Sequence, residues 1–165
     1  GLMALRMANA ELIPYNLNRY AADLKLHFTN ATNKIKGYDQ NFEGFNSSTA
    51  AIRSLEATSK MLTTQLQSFL EEGGLSKKDL RALNQQLIAL EKSFLSEQGM
   101  YFGKWYKSLY ASSDPFSGYA AWILPGLEYE IALKSSDRLE EWDARYAAAI
   151  GSLEIKMKQL LQDLE

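Results

Sequence analysis

His27 is the only imidazole in a chain of 165 residues that also lacks cysteine, so most nucleophilic and metal chemistry has few side chains to run on. It follows Leu24 by three positions and precedes Phe28, where a histidine packed at the edge of a core is the simpler reading and a ligand the sharper one. A di-iron bundle needs Glu-x-x-His twice, and Leu24 stands where that glutamate would be. The His-Glu-x-x-His zinc motif, the Gly-x-Ser-x-Gly elbow and a glycine-rich phosphate loop are also missing. A self-contained enzyme would have to use His27 as its base. The acidic group Glu128, Glu130, Asp137, Glu140, Glu141 and Asp143 could pair carboxylates for acid/base work. The plainer expectation is acids near helix starts and on solvated faces. No residue is therefore assigned a catalytic or metal-binding role in this chain, and no cofactor is expected in it.

The chemistry-bearing residues that remain are aromatic. Of nineteen Phe, Tyr and Trp residues, eight fall between Tyr101 and Trp122. The middle of that stretch is polar (Ser112, Ser113, Asp114, Pro115) and it closes with Leu124-Pro125-Gly126-Leu127, as in a long ordered loop of the kind that carries sites. Trp105, Tyr106, Tyr110 and Trp122 either cap a core or form a pocket or partner surface.

Four amphipathic segments must position this loop. Leu17, Tyr20, Leu24, His27, Phe28 and Ile35 trace a first helix from a cap at Asn16 to about Lys36. Ile52, Leu55, Ser59, Leu62, Leu66 and Phe69 recur at spacings of three and four in a second, which stops at Gly73-Gly74. Ser76-Lys77-Lys78-Asp79 resembles a capping box opening a third, with Leu80, Leu83, Leu87, Leu90 and Phe94 on its face. Pro125 suits the start of a short helix with Leu127, Ile131 and Leu133, ending near Lys134-Ser135-Ser136. The last and longest helix then begins at a Ser136 or Asp137 cap. Its face is Leu139, Trp142, Tyr146, Ile150, Leu153, Met157, Leu160 and Leu164. Such narrow seams predict an all-α, up-and-down four-helix bundle of antiparallel neighbours with one aromatic-rich loop and one short extra helix.

The chain is long enough for one domain with its own core. Its net charge of −2 is spread in mixed Glu and Lys without a basic stripe, which argues against nucleic acid as a partner. No apolar run reaches the roughly 18 to 20 residues of a membrane span, so no membrane segment is expected.

Read in order, Ala8-Asn9-Ala10, Leu12-Ile13-Pro14-Tyr15, Arg19-Tyr20-Ala21, Asn84-Gln85-Gln86-Leu87, Leu90-Glu91-Lys92-Ser93-Phe94, Tyr110-Ala111-Ser112-Ser113, Gly118-Tyr119-Ala120 and Leu124-Pro125-Gly126-Leu127 resemble the C-terminal helical domain of the glutamate carboxypeptidase II and transferrin receptor family. That domain is the family's transferrin receptor-like dimerisation domain. The resemblance implies residues 1–15 as the tail of a preceding protease-like domain and residues 16–165 as the helical dimerisation domain. It implies a homodimer that also packs on the protease-like and apical domains of the same protein. The parent would be an M28-type zinc peptidase, carboxypeptidase or aminopeptidase, with its zinc in the missing domain and an extracytoplasmic address (secreted, periplasmic or membrane-anchored).

In the glutamate-selective members a Lys-Tyr pair of this loop grips the substrate's terminal carboxylate. Tyr119 matches the tyrosine, but Gly118 stands at the lysine position. Losing an ammonium removes a charge-assisted partner stronger than a neutral hydrogen bond, so a preference other than C-terminal glutamate is equally open. The leading expectation is a non-catalytic domain that dimerises, through apolar side chains of the second and last helices, and completes a substrate cleft. Leu62 and Leu66 would be either core or interface. The alternatives are an independent helical module that binds a ligand or peptide, and a catalytically silent receptor-like relative.

Overall fold

The computed structural model describes residues 10–73 and 76–164. Among them the chain forms five α-helices: α1 (Asn18–Lys36), α2 (Asn46–Glu72), α3 (Lys77–Leu90), α4 (Pro125–Leu133) and α5 (Leu139–Asp163). A 3-10 turn (Glu91–Phe94) extends α3, and the following loop contains a hairpin of β1 (Ala111–Ser113) and β2 (Ala121–Ile123). The fold is therefore the expected helical bundle, with two short strands that the polar, aperiodic loop sequence did not announce. No helix among the described residues is long and apolar enough to cross a membrane. Of the segment assigned to a preceding domain, residues 1–9 lie outside the described residues.

The helical faces are those that the spacing predicts. Leu139, Trp142, Tyr146, Ile150, Leu153, Met157, Leu160 and Leu164 of the last helix are all buried, and so are Leu83, Leu87, Leu90 and Phe94 of the third. Leu62 and Leu66 are also buried, which makes them core rather than interface. Leu133 is half exposed at 48% and does not join the core. The Ser76 capping box forms, with the Asp79 N–H donating to Ser76 Oγ and the Ser76 N–H to the Asp79 carboxylate.

Two other caps differ from expectation. α1 starts two residues after Asn16, with Leu17 at its N-cap and no side-chain cap; the Asn16 carbonyl accepts the Arg19 N–H instead. α5 starts after Arg138 rather than at Ser136 or Asp137, because Ser136 Oγ is already donated to the Asp39 carboxylate at 2.7 Å. The longest helix is α2, with 27 residues against 25 in α5.

The largest departure is in direction. Ser48 Oγ and N–H both bond to Asp143, and six to ten residues further on Ser54 and Thr58 donate to Glu154. α2 and α5 therefore run parallel, in close contact, as the central pair of the bundle. Hydrophobic period reports which face a helix buries and not which way its neighbour runs, so the antiparallel expectation had no warrant for this pair. α3 does lie antiparallel to α5, with Gln86 bonded to Asp163 and Lys156 to the Ala89 carbonyl. α1 covers the other end of the pair, where Phe28 meets Phe45 and Tyr146 edge-on at 5.3 and 5.6 Å.

Both polar pins of the central pair sit inside the seam. The Asp143 carboxylate accepts the Ser47 and Ser48 N–H groups at 2.9 and 2.8 Å. It thereby caps the first turn of α2 from a neighbouring helix, where donors are otherwise orphaned and the dipole favours an anion. Burial alone would raise the Glu154 carboxyl, but hydrogen bonds from Lys158, Ser54 and Thr58 outweigh it and hold the group below its ordinary 4.5. A carboxylate depressed in the folded state adds stability above the unfolded value and loses it as acid protonates it. Glu154→Gln should lower the thermal midpoint at pH 7, with the gap to wild type closing only below pH 4.5, as thermal unfolding across pH will show.

Candidate functional site: the aromatic loop and its hairpin tip

The loop from Leu95 to Leu124 is fastened at its base by backbone bonds. Leu109 N–H donates to the Phe94 carbonyl and Ser96 N–H to the Lys107 carbonyl, both at 2.8 Å. Its first turn reverses tightly, Met100 and Gly103 exchanging hydrogen bonds at 3.3 and 3.1 Å. Gly99 enables this with φ of +68°, and a Cβ there would lie 2.5 Å from the Lys104 carbonyl oxygen. Arg145 of α5 clamps the turn, donating to Ser96 Oγ and to the Gly99 carbonyl at 3.1 and 2.7 Å. The same guanidinium lies 4.3 Å from the centre of the Trp142 ring. Tyr101 packs edge-on against Trp142 at 5.7 Å, donates to Glu141, and carries the Arg138 guanidinium over its face at 4.5 Å.

The second fastening is the Leu-Pro-Gly-Leu corner. Leu124 is buried in a left-handed conformation with φ of 53°, a strain of roughly 1 to 3 kcal/mol that its surroundings must hold. Pro125 occupies the first turn of α4, where its missing N–H is harmless. Gly126 is required by packing, since a Cβ there would lie 2.6 Å from two carbons of the Trp142 ring. Its N–H donates to the hydroxyl of Tyr146 at 3.1 Å, and burial pushes that phenol far above its ordinary value. Glu130 of α4 is fully buried; its Oε1 accepts from Arg138 Nε at 2.7 Å and Trp142 Nε1 at 3.3 Å. Glu130, buried, and Asp143, half-buried, thus depart from the expected solvated acidic face, because each accepts hydrogen bonds from a neighbouring element.

The candidate aromatic residues separate into three places. Tyr110 sits at the base, edge-on to Phe94 at 5.5 Å and to His27 at 6.2 Å, which makes His27 a packed core-edge residue. Tyr106 and Trp122 are half-buried members of a cluster around Phe102, at 4.8 and 6.1 Å, and Tyr129 of α4 packs into it at a tilt, 5.1 Å from Phe102. Phe116 lies flat on Tyr129 at 6.0 Å and meets Trp122 at 5.9 Å. Trp105 and Tyr119 instead project into solvent, 89% and 98% exposed. Phe102, Phe116 and Tyr129 were not singled out in the sequence, although Phe102 and Phe116 lie within the same aromatic run.

The hairpin lifts Tyr119 clear of this cluster. β1 pairs with β2 in the register Ala111 to Ile123, Ser112 to Trp122 and Ser113 to Ala121. Asp114 then closes the tip. Its carboxylate accepts Ser117 Oγ at 2.6 Å and the Phe116 N–H at 2.7 Å, while its carbonyl accepts the Gly118 N–H at 2.8 Å. The Ser117 and Phe116 bonds hold that carboxyl below its ordinary range. Gly118 has φ of +74° with nothing within 4 Å of where a Cβ would stand, so a lysine there has room but not the backbone. A braced turn ending in a free phenol can offer one hydrogen bond to a group approaching from outside.

Two clefts flank the loop. One, of about 570 Å³, lies between α1 and β2 beside His27, Lys34, Trp122 and Glu128. A groove of about 850 Å³ separates the start of α1 from the end of α3 and is lined by Tyr15, Tyr20, Ile88, Phe94, Leu95 and Tyr110. Burial, then the charge of Glu91, pushes the Tyr20 phenol up to about 12. No group of three or more His, Asp or Glu placed to hold a metal ion occurs among the described residues.

The sequence profile of the transferrin receptor-like dimerisation domain matches residues 26–158. The chain belongs to that family. The match takes in the helices from the third turn of α1 to the last turns of α5, and with them the whole aromatic loop. Within this dimerisation-domain family the chain is similar to three plant proteins. The probable glutamate carboxypeptidase LAMP1 of Arabidopsis thaliana is 27% identical over 78% of this chain and 18% of its own length. The probable glutamate carboxypeptidase VP8 of Zea mays is 26% identical over 86% of this chain and 20% of its own. The probable glutamate carboxypeptidase AMP1 of Arabidopsis thaliana is 26% identical over 91% of this chain and 22% of its own. The dimerisation domain thus spans about a fifth of the length of the curated relatives that it matches.

Gly126→Ala tests the corner on which the domain's loop depends. The rigid indole cannot withdraw as a flexible chain would, so overpacking should cost about 2 to 3 kcal/mol. Denaturant unfolding followed by tryptophan fluorescence should record that loss; a variant as stable as wild type would refute the packing account.

Proposed function

We propose that the chain is the non-catalytic C-terminal domain of a larger glutamate carboxypeptidase-like zinc peptidase, in which it mediates homodimerisation and its hairpin tip helps line the substrate cleft. The dimerisation part rests on the family match, and the peptidase part on the names of the plant relatives. Residues 1–15 belong to the tail of a preceding protease-like domain on this reading. The bonds of Ile13 N–H to Asn84 Oδ1 and of Asn84 Nδ2 to the Glu11 carbonyl suit such a segment, since they lay residues 11–13 along α3. Zinc is assigned to that preceding domain: here the one histidine is packed on Tyr110, and no ligand cluster stands near it among the described residues.

The observation that carries the cleft role is Tyr119, almost wholly exposed on a tip that Asp114 rigidifies. A phenol in that position contributes nothing to the domain's own core, whereas the loop beneath it is fastened by buried groups. Tyr119 then donates one hydrogen bond to the substrate, and Gly118 supplies the turn that aims it. The left-handed backbone at Gly118 would resist a lysine by roughly 1 to 2 kcal/mol, so the charge-assisted grip of glutamate-selective relatives is not built here. The parent's preference is accordingly for a substrate that tolerates a neutral donor, a carboxypeptidase or aminopeptidase substrate alike. The rival reading, an independent ligand-binding module, has the α1–α3 groove in its favour.

Tyr119→Phe in the full-length parent should lower kcat/KM roughly tenfold or more, as expected for losing a hydrogen bond to a charged group, with the thermal midpoint unchanged. Equal kcat/KM in wild type and variant would reject the cleft role. Ligand binding by this chain alone would favour the rival.

A further inference from the structure

A smaller cleft, of about 260 Å³, opens between α1 and α2. Lys25, Phe28 and Thr32 line it from α1, and Thr49, Arg53 and Glu56 from α2. Each set recurs at spacings of three and four, so each helix presents one continuous face to the cleft. The floor is apolar: Phe28 and Phe45 are buried there, edge-on at 5.3 Å. The walls above it are polar and charged.

Those walls are rich in unengaged donors. Arg19, Lys34 and Lys60 of the same two helices are paired with carboxylates, whereas Lys25 and Arg53 have no ion-pair partner among the described residues. The Thr32 hydroxyl and the Asn33 amide, which also line the cleft, make no hydrogen bond among the described residues either. Acceptors are scarce by comparison. Glu56, the one carboxylate in the lining, is engaged by Lys60 at 2.6 Å. With Lys60 counted, three cations stand against that single carboxylate, in a chain whose net charge is −2. Ammonium and guanidinium groups only donate, so the complement of this cleft is a ligand that brings acceptor oxygens and negative charge. The buried rings beneath strengthen such bonds by lowering the local dielectric.

We propose that the α1–α2 cleft binds a small organic phosphate, with the phosphoryl oxygens on Arg53, Lys25 and Thr32 and the carbon part over the Phe28–Phe45 floor. A phosphate monoester carries about −1.5 to −2 charges at neutral pH, which matches the two unpaired cations. Its three free oxygens meet donors arriving from two helices at once, whereas a carboxylate presents two oxygens in one plane. The guanidinium fork of Arg53 suits two of the phosphoryl oxygens and the Lys25 ammonium adds a point charge. The volume lies just below the roughly 300 Å³ at which pockets for drug-sized ligands begin, so the ligand is a phosphate with a few carbons. The cleft shares no lining residue with the α1–α3 groove. Binding here therefore adds to the proposed role of the domain without depending on it.

The test is a titration of the chain with inorganic phosphate and with phenyl phosphate at constant ionic strength, followed by broadening of the phosphorus NMR line. Both probes should bind wild type, phenyl phosphate the more tightly because its ring reaches the floor. Arg53→Gln and Lys25→Gln should each raise both dissociation constants about tenfold, as for loss of a charge-assisted bond. Thr32→Val keeps charge and shape and should still weaken both probes several-fold, an effect that diffuse attraction of anions would not produce. Lys36→Gln, exposed on α1 outside the cleft, should change nothing. Circular dichroism should show every variant as helical as wild type, since the three cationic side chains are exposed. Absence of broadening with wild type, or broadening that all the variants share, overturns the site. Equal affinity for the two probes overturns the contact with the floor and with it the choice of an organic phosphate. None of these results bears on dimerisation, which rests on the family match.

Discussion

The arrangement depends on two carboxylates placed inside a helix seam. Asp143 closes the open N-terminus of α2, and Glu154, further along the pair, gathers a serine, a threonine and a lysine. Packing of apolar faces alone would let two parallel helices slide by a turn at little cost, because leucine meets leucine in either register. Directional bonds at two heights do not permit that slip. With α2 and α5 fixed in height and direction, α1 has one end of the pair to cover and α3 the other. The groove where α1 begins and α3 ends follows from that division.

Trp142 extends the same logic to the loop. Its ring is fully buried yet touches four separate things: the Gly126 corner, the Arg145 guanidinium, the Tyr101 edge and the Glu130 carboxylate. A single side chain one turn into α5 thereby joins α4 and the first turn of the loop to the bundle. The strained Leu124 is tolerable for this reason: the groups on either side of it are held by contacts that it does not itself supply.

Much of the bundle could be read from spacing, and the exceptions have a common cause. The faces of α2, α3 and α5, the Ser76 capping box and the Pro125 start all follow from residue type at fixed offsets. Asp143 and Glu130 were legible as acids but not as bonded ones, because their donors lie outside their own helices, on α2 for Asp143 and at the start of α5 for Glu130, and solvation is the default for a carboxylate. The parallel pair was hidden because periodicity carries no direction. In the loop there is no period at all, so eight aromatic residues looked like one group where the fold sorts them into base, cluster and tip. Tyr119 was found through the family resemblance rather than through its spacing; nothing in its immediate sequence separates it from Tyr106, which is packed.

α5 carries the anchors of the aromatic loop close to its own open end. Trp142 and Arg145, within its first two turns, hold the loop. A helix end is the part most prone to fray, and the first turn of α5 has no side-chain cap of its own. Glu130 holds that end from outside the helix, accepting from Arg138 at the N-cap and from Trp142 in the first turn. The entry of α5 and the anchor of the loop are thus secured by the same buried carboxylate, so order at one requires order at the other.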